Sequence, residues 1–312
     1  MPLFPNNSPQ ATEPTESAPN SVIQEEANTV GNTAFEEQNA TSHSQGGQAL
    51  NGVVEINDET APLVVLFGPT SCGKTMTLIR LTQFLRKQGY GVQPDASFRP
   101  SYDQQYKDDC DKFNQTVNDP IAAPGTSGYM LVDVIAKSTG KVLCKILEAP
   151  GEYYFDPKQP NKSYPHYLNR IIDSPNRKVW CAFVEPAWEN ANTRANYVNR
   201  IEALKPQMSS QDRIIFVFNK IDKTNFVKNR DGVVNEKEAI KYVSDLYKQI
   251  FDKFKCEIPI VKWFRPYDCG FIPFQTGKFT ETKDEYGNTN ILFSISNDAY
   301  PSKLWNAIKR SI

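Results

Sequence analysis

Leu63-Val64-Val65-Leu66-Phe67 runs without a break into Gly68-Pro69-Thr70-Ser71-Cys72-Gly73-Lys74-Thr75. The first five residues are apolar and partly β-branched, the composition of a strand buried on both faces of a parallel sheet. The next eight fit the pattern G-x-x-x-x-G-K-[ST]. Beyond them Leu78, Leu81 and Leu85 fall at helical spacing, with Ile79 and Phe84 beside them and Gly89 as a stop. Strand, glycine loop and helix in that order aim backbone N–H groups and the positive end of a helix at phosphate oxygens. Gly68, Ser71, Cys72 and Gly73 then cradle the phosphates, Lys74 neutralises the β and γ groups, and the Thr75 hydroxyl ligates magnesium. The stretch implies a nucleotide-phosphate site.

The base is addressed further along. Ile214-Ile215-Phe216-Val217-Phe218 is a second buried-strand run, and it leads directly into Asn219-Lys220-Ile221-Asp222. This is N-K-x-D at the C-terminal end of a strand, where ligands sit in doubly wound sheets. An aspartate there can accept from both N1–H and the 2-amino group of guanine, and adenine offers neither donor. With adenine bound, the carboxylate would stay unpaired, at a cost of about 1–3 kcal/mol. Asn219 is expected to brace the surrounding loops and the Lys220 stem to lie along the base. Taken alone, the tetrapeptide could equally be an exposed polar turn.

Alternating strand and helix signals surround these two motifs. Strands are expected over 129–136, 141–147, 178–184 and 258–264. One helix carries Tyr197, Val198, Ile201 and Leu204 and stops near Pro206. A second starts at Asn235, with Glu238 three residues on in capping-box fashion. Its apolar face is expected to continue through Ile240, Val243, Leu246, Tyr247, Ile250, Phe251 and Phe254. Segments 278–282 and 291–296 read as a β-hairpin around Asp284-Glu285-Tyr286-Gly287-Asn288. A last helix buries Leu304, Trp305 and Ile308. The fold class is therefore α/β: a doubly wound, mostly parallel sheet flanked by helices, with an added hairpin near the C-terminus.

With these motifs in that order, residues 61 to about 312 resemble a divergent member of the Ras-like P-loop GTPases of the translation-factor class. Gly68–Thr75 and Asn219–Asp222 match the family pattern fully. The resemblance implies a third motif, D-x-x-G, whose aspartate holds magnesium through water and whose glycine amide meets the γ-phosphate. Here it becomes Glu148-Ala149-Pro150-Gly151, with glutamate in place of aspartate. The next residue is Glu152, where such enzymes often carry a glutamine that orients the attacking water. The γ-phosphate repels a carboxylate there, so turnover is expected to be slow or dependent on a partner that supplies an arginine. The resemblance also calls for a threonine that binds magnesium from the first switch. Thr126 is its best-placed candidate, with Ser127 and Thr116 as rivals. Arg99 in the same long segment is a candidate arginine finger in cis. A last motif is expected at Gln275-Thr276-Gly277, with residues 265–268 as the competing placement.

Bulk composition divides the chain. Residues 1–59 hold nine acidic residues and no lysine or arginine, and Lys74 is the first basic residue of the sequence. All 35 basic residues and 27 of the 36 acidic ones therefore lie beyond position 59, so an acidic stretch precedes a basic body. The first 59 residues are rich in Asn, Gln, Ser, Thr, Pro and Glu and are expected to be disordered, as a tether or as a segment lying over the basic face. The domain proper is expected over 60–312. The basic charges are dispersed among acids, and no nucleic-acid-binding module is visible. No signal peptide, membrane span or lipidation box is read, which points to the cytoplasm. Six cysteines form no C-x-x-C pair; oxidation of Cys72, inside the loop, would block binding. GTP or GDP and Mg²⁺ are the expected ligands, with an effector or activator protein as partner. A P-loop ATPase or kinase and a scaffold that holds GTP without hydrolysing it are the alternatives.

Overall fold

A computed structural model describes residues 53–118, 130–186, 188–226, 234–256, 267–283 and 289–312. Its centre is a seven-stranded sheet of order β2-β3-β4-β1-β5-β6-β7. The strands are β1 (Leu63–Phe67), β2 (Gly91–Pro94), β3 (Met130–Ile135), β4 (Val142–Glu148), β5 (Lys178–Val184), β6 (Arg213–Phe218) and β7 (Gly270–Pro273). β4, β1, β5, β6 and β7 run parallel, and β3 is antiparallel to both β2 and β4. Every residue of β1 and β5 is buried. That is why β1 reads as an unbroken apolar run, and β5 as one after its first residue, Lys178, rather than as alternating ones.

Helices α1 (Lys74–Lys87), α2 (Gln104–Asn118), α3 (Gly151–Tyr154), α4 (His166–Asp173), α5 (Ala191–Leu204), α6 (Glu236–Leu246) and α7 (Ala299–Ser311) complete this body. α1 packs against α2, α7 and β4. Arg80 anchors α1 to the start of α7, donating to Ser296 O at 2.9 Å and pairing with Asp298. β8 (Gly277–Lys283) and β9 (Thr289–Ile295) pair antiparallel as a separate two-stranded sheet, in the place expected for the hairpin.

Several expectations change in detail. α6 is capped by Asn235 Oδ1, which accepts from Glu238 N, but it ends at Leu246 instead of running to Phe254. Gln249 adopts φ 69° and breaks the helix, and Tyr247, Ile250, Phe251 and Phe254 stay buried through turns. α2 was not anticipated, although Tyr106, Phe113 and Val117 fall at helical spacing and are its buried face. Asp103 accepts from Tyr106 N at its start. Packing begins before residue 60: Val54 is buried and Glu55 N donates to Phe98 O at 2.9 Å. Most of the acidic segment and the strand expected over 258–264 lie outside the described residues. Among the described residues no helix is long and apolar enough to cross a membrane.

Candidate functional site

The sheet order reverses around β1, and the loops leaving the C-terminal ends of β1, β4, β6 and β7 converge on one cavity of about 410 Å³. Reversal points of this kind are where open α/β sheets bind ligands, and the volume suits a small organic molecule. Gly73, Lys74 and Thr75 line it from the β1–α1 loop, Ala149 to Glu152 from the end of β4, and Asn219, Lys220 and Asp222 from the end of β6. Thr276 and Gly277 line it after β7.

The β1–α1 loop has the backbone its composition dictates. Gly73 sits at φ 91°, where only glycine is free of strain, and a Cβ there would lie 2.3 Å from Asn219 Nδ2. α1 starts at this residue with no side-chain cap and no acid in its first turn, so its N–H groups and positive end face the cavity. Lys74 is only 5% exposed, and its Nζ donates to Gly68 O and Pro69 O, both at 3.0 Å. A ligand phosphate would replace two neutral carbonyls with charged oxygens around this ammonium. Cys72 is buried, and burial holds its thiol above its usual value despite the nearby Lys74 cation. It therefore resists forming the thiolate that oxidation requires.

At the end of β4, Glu148 is 3% exposed and its carboxylate accepts from the Thr75 hydroxyl. Two hard oxygen donors meeting beside the phosphate loop fit Mg²⁺, which commonly takes one or two protein oxygens and completes its shell with phosphates and water. Among the described residues no cluster of three or more His, Cys, Asp or Glu exists to hold a metal by protein ligands alone. Gly151 lies against the phosphate loop: a Cβ there would stand 2.1 Å from Thr70 N. Glu152 is exposed at the cavity wall, where it accepts from Thr70 Oγ1 at 3.2 Å.

Asn219 spans the loops as expected, donating from Nδ2 to Cys72 O at 2.9 Å. Lys220 Nζ donates to Ser71 O at 2.8 Å. Asp222 occupies a short 3₁₀ turn and is exposed to the cavity. After β7, Thr276 borders the cavity, whereas Gln275 is buried and is not part of the wall. The competing placement at 265–268 contributes nothing to the cavity among its described residues.

The first-switch candidates fare differently. Thr126 and Ser127 lie outside the described residues. Thr116 is half-buried on α2, with its hydroxyl bonded to Lys112 O, and it does not border the cavity. Arg99 is not an arginine finger: it is 4% exposed and locked to Asp103, its Nε 2.8 Å from Oδ2. Thr70, Lys223 and Met76 also border the cavity and were not anticipated. Glu185, which pairs with Lys220, was missed as well. Its signal was a lone charge directly after the buried run of β5.

No protein-family model matches this chain, and no curated protein does. Among solved structures it is similar to a candidate nucleolar GTP-binding protein 1 from Plasmodium falciparum, at 15% identity and TM-score 0.37, over 72% of this chain and 81% of that one. The septin GTPase domain from Chlamydomonas reinhardtii is 16% identical at TM-score 0.35, over 81% of this chain and 90% of its own. The S. cerevisiae Ski7 GTPase-like domain, bound to GDP and inorganic phosphate, is 15% identical at TM-score 0.37, over 70% of this chain and 43% of that one. At these scores the likenesses carry no argument, and the functional reading rests on the chain's own loops.

Proposed function

We propose that the chain is a guanine-nucleotide-binding protein that hydrolyses GTP slowly in the presence of Mg²⁺ and works as a molecular switch. One observation carries this reading: Lys74 and Thr75 from one strand end and Asp222 from another border the same cavity. A triphosphate on the glycine loop would thereby leave its base within reach of the aspartate. In this reading Gly68, Ser71, Cys72 and Gly73 offer backbone to the phosphates, and Gly151 lies where a γ-phosphate would be sensed. Asn219, Lys220 and Thr276 shape the base pocket. Thr75, Glu148 and Thr126 hold the metal, which when bound offsets charge on the transferring phosphoryl group.

Turnover is expected to be slow. Glu152 stands where a water-orienting side chain is needed, yet its charge opposes that of the γ-phosphate, and its carboxylate is engaged by Thr70. An activating protein that supplies an arginine is the partner this arrangement calls for. A second reading, GTP held without hydrolysis, is favoured by the packing of the segment after Gly151. Tyr154 and Phe155 are buried, and Arg200 Nε donates to Tyr154 O at 2.9 Å. The acidic segment before Val54 is read as a tether to the domain, which takes in the packed residues just before position 60.

Calorimetric titration of the magnesium-loaded chain with GTP, GDP and an ATP analogue tests the assignment. Tight GTP and GDP binding with at least about a hundredfold preference over ATP is expected. Equal ATP binding would promote the ATPase or kinase reading. Single-turnover phosphate release then separates a slow hydrolase from a scaffold.

A further inference from the structure

Two residues lining the cavity adopt a left-handed backbone without being glycine: Ser71 at φ 63° and Lys220 at φ 55°. Such positions persist in L-residues only where the surroundings enforce them. One amine is shared between them. Lys220 Nζ donates to Ser71 O at 2.8 Å and forms an ion pair with the Glu185 carboxylate. The lysine therefore joins the base loop to the phosphate loop, and Glu185 is the third corner of the bridge.

Glu185 is built for this role. It follows the last residue of β5, and its side chain is only 7% exposed. Its backbone is fixed on both sides by the buried Tyr247 hydroxyl, which accepts from Glu185 N at 3.2 Å and donates to Glu185 O at 2.9 Å. A carboxylate so nearly dry is retained only with a partner, and Lys220 is that partner. Lysine otherwise carries its charge on a flexible four-carbon stem. Held at its tip by Glu185 and Ser71, the stem loses that freedom before any ligand arrives, which is pre-organisation.

The geometry points to Glu185 as a positioning residue that fixes Lys220 across the two loops and so slows the release of a bound guanine nucleotide. This inference rests on the guanine-nucleotide reading above. Glu185 does not border the cavity and acts only through the lysine. Removing the carboxylate charge leaves Lys220 with Ser71 alone and frees the base loop to open.

The test is stopped-flow dissociation of a fluorescent GDP analogue from the magnesium-loaded full chain. It compares the unmodified protein, Glu185→Gln, Lys220→Ala and the double variant. Glu185→Gln should speed release about tenfold or more, but change it by less than about twofold when added to Lys220→Ala. Glu185→Asp, which keeps the charge on a shorter reach, should fall between the unmodified and Gln rates, and it carries the same cycle if the Gln variant does not fold. An unchanged rate in Glu185→Gln, or equal acceleration on the Lys220→Ala background, would overturn the role. Failure of the unmodified chain to retain the analogue would strike the guanine reading itself, and this inference with it.

Discussion

Charges on the two flanks of this sheet meet opposite fates. At the C-terminal ends of the parallel strands, Lys74, Glu152, Lys220 and Asp222 border an open cavity. At the antiparallel edge, charges satisfy one another inside the protein. Lys145 sits within β4 directly across from Asp133 of β3, bonding it at 2.6 Å and Asp95 at 2.7 Å. Arg99 and Asp103 form a second buried pair close by. Composition alone does not separate these groups. For Lys145 and Asp133 their position along the strands does: a strand end opens onto loops and ligand, whereas mid-strand charge must find a partner across the ladder.

That contrast predicts crossed effects. Lys74→Ala should weaken GTP and GDP binding by at least about a hundredfold and shift the melting temperature little. Titration calorimetry and thermal unfolding of the same preparation check both halves. A large fall in melting temperature would place Lys74 with the structural charges. Lys145→Met should do the reverse. Stranding the buried Asp95 and the half-buried Asp133 carboxylates costs about 3–5 kcal/mol, which lowers the midpoint by on the order of 10 °C in a body of this size. Nucleotide affinity of the remaining folded protein should stay the same.

A smaller effect is expected at the metal. Chelation should weaken GTP binding to the unmodified chain about tenfold, and Glu148→Ala should remove most of that dependence, because its carboxylate meets the Thr75 hydroxyl there among the described residues. Titration with and without chelator reads it. A Glu148→Ala chain as sensitive to chelation as the original would exclude Glu148 from the metal's surroundings.

Smallest is the acid response of the edge. Burial raises the Asp95 carboxyl, but hydrogen bonds from Lys145 and Ser97 outweigh it and hold the group below its ordinary 3.8. A depressed carboxyl contributes stability that is complete above the ordinary value and lost as pH falls through the folded one. Asp133 runs the other way, because burial lifts it despite Lys145, and the two partly cancel. Asp95→Asn should therefore flatten the decline of melting temperature below about pH 4 by only a few degrees. An unaltered profile would remove Asp95 from the acid response.

The same contrast explains what the sequence disclosed. Motifs at strand ends were legible because a phosphate loop needs glycine, lysine and threonine at fixed spacing, and a guanine site needs its aspartate after a strand. The hairpin and the last helix were legible from periodicity. The edge was not, because its order rests on pairings between distant residues. Asp95 and Lys145 are 50 positions apart, and only folding makes them neighbours. Even there a trace existed: β3 and β4 each carry a charge amid apolar residues, Asp133 and Lys145, of opposite sign. The end of α6 was hidden for a different reason. Apolar residues at helical spacing continue past Leu246, and a left-handed Gln249 inside such a run leaves no mark in composition.

The central claim is that Asp222 reads the base, and substituting it tests that most directly. Titration of magnesium-loaded Asp222→Asn with GDP and xanthosine diphosphate should show guanine affinity falling by at least about a hundredfold and xanthine affinity rising, because the 2-oxo group of xanthine needs a donor opposite it. Unchanged guanine binding in Asp222→Asn, with no gain for xanthine, would contradict the account.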